Sequence, residues 1–297
     1  PLAICPIFPA DCALPSAIVL TLNHTYLWDR TLGRIQRGGA RLASFEEIEA
    51  ALVVLLKRFG RPRQTVHAEY PFARLCADGV WEVPGIEAVR KTAEGDVHKS
   101  SLRAQKAKGG FKEDDYRWLV EKPSRIPEAA DLLLTWHFPE SLHDDIRTAV
   151  GLSKETVVRD AQTRVRDPRF RDEVLRNYEY RCAVCSFDIR IGDELLGLEA
   201  AHIMWHAAGG SDKVENGLAL CGLHHKALDR GAWGMKDIGA GFEIMVSSHV
   251  HGQSRGLQWL RDFHGQPLRK PLLPDLIPNS EFVRWHAEEV FRRPPLP

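Results

Sequence analysis

Four residues with metal-ligating side chains stand at two short, regular spacings: Cys182-x-x-Cys185 and Cys221-x-x-His224. A CxxC turn presents two thiolates on a tight knuckle, and a CxxH turn adds a third thiolate and an imidazole. Together they make the donor set of one tetrahedral zinc. Such a set forces the chain between 185 and 221 to double back, because its two ends must meet at one ion. The expectation is a closed structural zinc site. In a module of this size the apolar core is expected to be thin, so that zinc supplies much of the folding energy. Chelation, or Cys185→Ser, is then expected to unfold the C-terminal half. The other cysteines, Cys5, Cys12 and Cys76, are scattered and form no disulfide framework, which suits a reducing cytoplasm.

The 297 residues suit two ordinary domains, with apolar content sufficient for a core in each. No apolar run is long enough to span a membrane, and residues 1–6 carry no basic segment of a secretion signal. Lysines and arginines number 40 and so do the acids, giving a net charge of zero. That balance argues against a generic nucleic-acid binder, but the charges are unevenly placed. Lys57, Arg58, Arg61, Arg63 and Arg74 surround a single acid, Glu69; Lys99, Arg103, Lys106, Lys108 and Lys112 follow one another without one; Arg164, Arg166, Arg169 and Arg171 precede the first cysteine pair. Single runs like these are ordinarily solvated faces; beside DNA-handling modules they offer phosphate contacts.

Ser44 and Glu47 form a capping box opening a helix that carries Ile48, Leu52, Leu55 and Leu56 inward and stops at Gly60. Residues 79–84 read as a strand after the Asp78-Gly79 turn, and 129–136 and 143–150 as helices separated by Phe138-Pro139. Residues 153–165 read as a polar linker. Asp167-Pro168 opens a helix that delivers Cys182, with Phe170, Val174, Leu175 and Tyr178 inward. Residues 241–251 read as a strand, and a last helix surrounds 281–286. The boundary falls near 160: one domain over 1–160, a second over 161–297, in the α+β class.

Interleaved with the zinc set are His202, Asn216 and His225. Residues 198–204 read as a strand ending near His202, Gly209-Gly210 lies in a loop, Asn216 begins the return, and 221–229 is a helix. The order His, Asn, His on a ββα unit resembles the HNH nucleases, whose ββα-metal fold cuts nucleic acid with one divalent cation. That resemblance implies His202 as the general base, Asn216 as the residue orienting it, and His225 as a ligand of a catalytic Mg²⁺, Mn²⁺ or similar ion. His224 and His225, being adjacent, are expected to point apart, one to zinc and one to the cleft. Many HNH proteins carry Asp immediately before the first His; here Ala201 stands there. Glu199 or Asp229 is left to supply the second catalytic carboxylate.

The N-terminal half is similar to the sulfur-binding domain of phosphorothioation-dependent restriction endonucleases. The pieces that carry this are 31–38 (TLGRIQRG), 55–60 (LLKRFG), 69–75 (EYPFARL), 78–83 (DGVWEV), 109–111 (GGF) and 137–143 (HFPESLH). A phosphorothioate exchanges one nonbridging oxygen for a larger, more polarisable and less hydrated sulfur. A selective pocket is therefore apolar and shallow, with cations on the remaining oxygens. The resemblance implies Tyr70 and Pro71 as that pocket, with Ala73 and Arg74 beside them. Pro71 is expected to hold Tyr70 extended. Segment 24–30 departs from the family's more apolar pattern and is expected to be a DNA-reading edge: Arg30 first, with Tyr26, Trp28, Asp29 and His67 as neighbours. Arg103, Lys106 and Lys108 are expected to hold phosphates.

The implied protein is a bacterial, cytoplasmic endonuclease that binds double-stranded DNA at a phosphorothioate and cuts nearby. Cutting both strands calls for two metal sites, so a homodimer is expected, with 257–291 as its surface and Trp259 and Trp285 as anchors. Two alternatives stay open from the residues: a methylcytosine-dependent HNH endonuclease with a base-flipping cage, and a noncatalytic zinc-stabilised DNA-binding protein.

Overall fold

The computed structural model describes residues 22–60, 65–93, 95–152 and 168–297. Cys5, Cys12, Arg61, Arg63, Arg164, Arg166 and the 153–165 linker lie outside the described residues, as does the side chain of Tyr26. The chain divides into two compact units, one of 1–137 with 143–161 and one of 138–142 with 162–297.

The first unit is helical around a small sheet. Its elements are α1 (Leu22–Gln36), β1 (Ala43–Ser44), α2 (Phe45–Phe59), α3 (Glu69–Arg74), β2 (Trp81–Glu82), α4 (Lys99–Ala104), β3 (Lys108–Phe111), α5 (Glu113–Glu121), α6 (Arg125–His137) and α7 (Glu140–Val150). The capping box at α2 is formed in full. Ser44 Oγ accepts the Glu47 N–H at 3.2 Å, and the Glu47 carboxylate accepts the Ser44 N–H at 2.9 Å. The Gly60 N–H closes the other end on the Leu56 carbonyl. β3 lies between β1 and β2, both antiparallel to it, with Trp81 opposite Phe111. Gly109 and Gly110 are required there: a Cβ would come within 2.8 Å of the Phe72 ring at the first and 2.2 Å of the Arg41 carbonyl at the second. Trp28, Phe45, Phe72, Trp81 and Phe111 meet edge to face in the core, and the Trp81 indole donates to the Phe72 carbonyl at 3.0 Å.

The second unit holds α8 (Pro168–Asn177), β4 (Arg190–Ile191), β5 (Glu194–Leu195), β6 (Leu198–His202), β7 (Gly217–Cys221), α9 (Gly222–Asp229), β8 (Trp233–Asp237), β9 (Phe242–Val246), α10 (Arg255–Arg261) and α11 (Ser280–Glu289). β6 and β7 pair antiparallel from Leu198↔Cys221 to His202↔Gly217, and α9 follows at once, giving the expected ββα unit. α8 packs on both strands. Gly217 permits that approach, since a Cβ would lie 2.3 Å from Val174 Cγ2. β8 and β9 form a second antiparallel pair, and α11 packs on β8. The core is not thin. Phe170, Val174, Leu175, Tyr178, Leu198, Leu218, Leu220, Leu228, Trp233, Met235, Ile244 and Val283 are buried in one cluster. The expectation of a thin core is corrected, because β8, β9 and α11 add their apolar side chains to those of the ββα unit.

Candidate functional site

The knuckle follows α8 directly. Glu179, Tyr180 and Ser186 adopt left-handed backbone (φ 54°, 57° and 59°). The turn they frame is closed by Ser186 N–H to Cys182 O and Cys182 N–H to Phe187 O, both at 2.9 Å. The donor atoms of Cys182, Cys185, Cys221 and His224 all lie within 4.8 Å of one another. Cys185 Sγ and Cys221 Sγ are 3.9 Å apart, and His224 Nδ1 is 3.7 Å from Cys182 Sγ and 3.2 Å from Cys221 Sγ. Metal–sulfur bonds of about 2.3 Å in a tetrahedron place sulfurs roughly 3.8 Å apart, so the residues fit one such ion. Hydrogen bonds from Cys185, Cys221 and His224 hold the Cys182 thiol below its ordinary range, and the hydrogen bond with Cys182 in turn pushes the Cys185 thiol up. Trp259 tilts over the His224 ring at 4.6 Å, and Trp285 meets Trp205 at 5.7 Å. Both tryptophans, expected to anchor a dimer, are half-buried, each with a ring partner in its own unit.

His225, one position on, turns away from the sulfurs. Its Nδ1 is 2.5 Å from Glu199 Oε2 and its Nε2 is 3.4 Å from Asp229 Oδ2. Both sequence-predicted carboxylates therefore reach the same imidazole from opposite sides. They differ in environment. The Glu199 side chain is 51% exposed and that of Asp229 is 2% exposed. The hydrogen bond from His225 holds Glu199 below its usual range, whereas burial raises Asp229 despite the nearby His225.

His202 closes β6 in the register opposite Gly217. Its ring stacks on Phe170 of α8, with centroids 4.1 Å apart and planes 12° from parallel. Its Nε2 lies 2.8 Å from Asp212 Oδ1. Asn216 is fully buried and ties the end of β6 to the loop that follows: its carbonyl accepts the Ile203 N–H at 2.9 Å, and its side-chain amide bonds both backbone groups of Met204. Asp212 and His206 are the residues that sequence reasoning missed. Both sit on the polar loop between the strands, and their only signal was an ionisable side chain close in sequence to His202.

In the first unit the predicted residues separate into a surface group and a core group. Tyr70 is half-buried. His67 stacks on its ring (4.9 Å, 11°), and the Arg74 guanidinium lies 5.0 Å from the ring centre. His67 Nδ1 is held 2.8 Å from the buried Glu69, and Arg74 bridges to Asp96 at 2.7 Å. Ala73 is half-buried beside them and Pro71 is buried. Tyr70 is helical within α3 rather than extended, because Pro71 sits in the first turn of the helix, where its ring meets no preceding carbonyl. Trp28 is 1% exposed and lies in the core. The expected reading edge is the helix α1, which turns Trp28 and Asp29 inward. Arg30 is half-buried and its Nη1 donates to the Val150 carbonyl at 3.4 Å. Asp29 is fully buried, and that burial raises its carboxyl well above the usual range. Arg103 pairs with Glu49 at 2.6 Å, and Lys99 meets the same carboxylate, whereas Lys106 and Lys108 are exposed.

Two sequence families match the chain. One, described as the ScoMcrA-like DNA sulfur-binding domain, matches residues 21–155; the other, described as an HNH endonuclease, matches residues 182–236. Solved structures similar to the chain include the sulfur binding domain of ScoMcrA complexed with phosphorothioated DNA, 26% identical, covering 44% of this chain and 84% of that one with a TM-score of 0.39. The type IV phosphorothioation-dependent restriction endonuclease ScoMcrA is 27% identical over 44% of this chain, with a TM-score of 0.38, and only 25% of that longer protein is covered. The sulfur binding domain of SprMcrA complexed with phosphorothioated DNA is 24% identical, covering 47% of this chain and 90% of that one with a TM-score of 0.35. No curated protein matches. Two families that do not overlap thus meet in one polypeptide, which couples a ScoMcrA-like DNA sulfur-binding domain to an HNH endonuclease domain.

Proposed function

We propose that this protein is a modification-dependent restriction endonuclease: residues 1–160 bind double-stranded DNA at a phosphorothioate linkage, and residues 161–297 hydrolyse phosphodiester bonds nearby. The observation that carries the reading is the joining, in one chain, of the sulfur-binding family to an HNH unit that retains His202, Asn216 and His225. On the reader, the exposed side of the His67–Tyr70–Arg74 stack supplies polarisable ring surface for sulfur and a cation for the neighbouring oxygens, with Pro71 packed behind it.

In the nuclease, Cys182, Cys185, Cys221 and His224 hold a structural zinc that fixes the start of α9 against the knuckle. His225 and one carboxylate hold the catalytic cation. We assign that carboxylate to Glu199, which faces solvent where DNA arrives; buried Asp229 orients the ring from behind. A divalent cation there supplies charge neutralisation for the phosphate and its leaving oxygen. His202 takes the proton of the attacking water, and Asn216 keeps the end of β6 in place. One such site cuts one strand, so the working form is a homodimer or two copies on one duplex. Among the described residues no helix is long and apolar enough to cross a membrane, and we place the protein in the bacterial cytoplasm, where DNA is.

The test is one duplex prepared with and without a single phosphorothioate, assayed for binding and for cleavage with Mn²⁺ or Mg²⁺. Selective binding and cutting of the modified duplex is expected. Equal affinity for the two overturns the targeting, and absence of metal-dependent cutting overturns the nuclease.

A further inference from the structure

The loop between β6 and β7 is built to deliver one side chain. Asn216 closes its neck: Oδ1 accepts the Met204 N–H at 2.8 Å, and Nδ2 donates to the Met204 and Ser211 carbonyls, each at 2.9 Å. Gly209 is left-handed (φ 93°), and at Gly210 a Cβ would come within 2.0 Å of the Met204 carbonyl. The chain is thereby turned back on itself, and Asp212 returns to His202. Asp212 Oδ1 lies 2.8 Å from His202 Nε2, and Oδ2 lies 3.8 Å from His206 Nε2. Phe170 covers one face of the His202 ring. The paired side chains are 12% and 20% exposed, so solvent screens their attraction only in part.

We propose that Asp212 is a positioning residue for the general base, an inference that rests on the nuclease reading of His202. The carboxylate accepts the Nε2–H of His202 and so fixes the tautomer in which Nδ1 carries the basic lone pair. During hydrolysis a proton passes from water to Nδ1. The water oxygen bonds to phosphorus, the bond from phosphorus to the leaving oxygen breaks, and that oxygen takes a proton from solvent. The imidazolium formed lies against the Asp212 charge and returns its proton to solvent. Phe170 and Asp212 together leave the ring one orientation, and Asn216 holds the loop that makes this possible. Among the described residues, His206 on the same loop also faces the His202–Asp212 pair, its Nε2 3.8 Å from Asp212 Oδ2, and on α8 Arg171 donates to the Leu198 carbonyl at 3.3 Å. Across the pairing, β7 places Gly217 opposite His202.

The experiment compares the full-length protein with its Asp212→Asn, Asp212→Ser, Asp212→Glu and His202→Ala variants. Cleavage of a duplex bearing one phosphorothioate, and of plain plasmid at high enzyme, is followed in Mn²⁺ across pH, with melting curves for each protein. Asp212→Asn is expected to lower kcat tenfold or more at nearly unchanged KM. It is also expected to move the acidic limb of the kcat profile to lower pH, because the amide no longer stabilises the imidazolium. Asp212→Glu restores part of both. Wild-type rate and profile in Asp212→Asn, with His202→Ala inactive, overturn the role of Asp212 and leave the nuclease standing. Full cutting by His202→Ala overturns the nuclease reading itself. Should Asp212→Asn melt well below the wild type, the profile of a folded Asp212→Ser decides, and an unshifted limb at full rate overturns the proposal.

Discussion

A single imidazole held between a solvent-facing and a buried carboxylate makes the division of labour at His225 testable. Removing a cation ligand raises the ion concentration an enzyme needs, and restoring the ion restores the rate. Glu199→Gln is therefore expected to raise the Mn²⁺ requirement for half-maximal cutting by about 10–100-fold, with the rate recovered at saturating Mn²⁺. An unchanged requirement would pass the ligand role to Asp229. His286 offers a separate prediction about stability. It is 1% exposed, with Nε2 bonded to the Leu228 carbonyl at 3.0 Å. Burial pulls its pKa down to about 4. The folded protein keeps the ring neutral where the unfolded chain would protonate it. This contribution is intact above about pH 6.5 and is lost as pH falls toward 4, by up to about 3 kcal/mol. Urea midpoints of the wild type and His286→Gln at pH 7.5 and 5 check this: the wild type should lose more stability on acidification than the variant.

Helix α2 shows what a strong local signal does at the scale of an element. Its box is satisfied at both hydrogen bonds, and its buried face runs from Phe45 through Ile48, Leu52 and Leu55 to Phe59. Ser44→Ala should cost about 1 kcal/mol, measured as a lower urea midpoint for the first unit with kcat unchanged; no shift would mean the cap is redundant with packing. The same locality explains which elements were legible. α2, the helices on either side of Phe138-Pro139, the β6–β7–α9 unit and the last helix each carry a cap, a breaker or a regular apolar spacing. α1 was not legible as a helix. Its inward face includes Thr25, Asp29 and Thr31, so polar residues fill core positions and hide the 3.6-residue period, and Trp28 looked like a surface reader. Asp212 was invisible for another reason. Its meeting with His202 depends on a loop closed by Asn216 and Gly210, and no spacing rule encodes that closure. The clustering of Cys182, Cys185, Cys221 and His224 was readable because the CxxC and CxxH spacings are the geometry.

At the scale of the whole molecule, the two units each possess a core of their own, and this separates recognition from cutting. The second unit buries Ile244, Val246 and Val283, well away in sequence from the cysteine pairs, in the same cluster that takes in Cys182 and Cys221. Loss of zinc should therefore loosen the knuckle rather than dissolve the domain. On the proposed assignment of His225 the knuckle nevertheless bears on cutting, because Cys221 is the N-cap of α9 and His225 lies in its first turns. Freeing the thiolates lets the start of that helix drift from Glu199. A strong chelator, followed by Mn²⁺ in excess, is expected to abolish cutting. Amide hydrogen exchange should rise over residues 178–187 and 221–229, while β8, β9 and the first unit keep their protection. Affinity for a duplex carrying one phosphorothioate should stay within about twofold, since the four donors Cys182, Cys185, Cys221 and His224 all belong to the second unit. Loss of that affinity along with the metal would show that the two functions are not separable. Exchange rising throughout the second unit would restore the view that zinc, not the apolar cluster, holds it together.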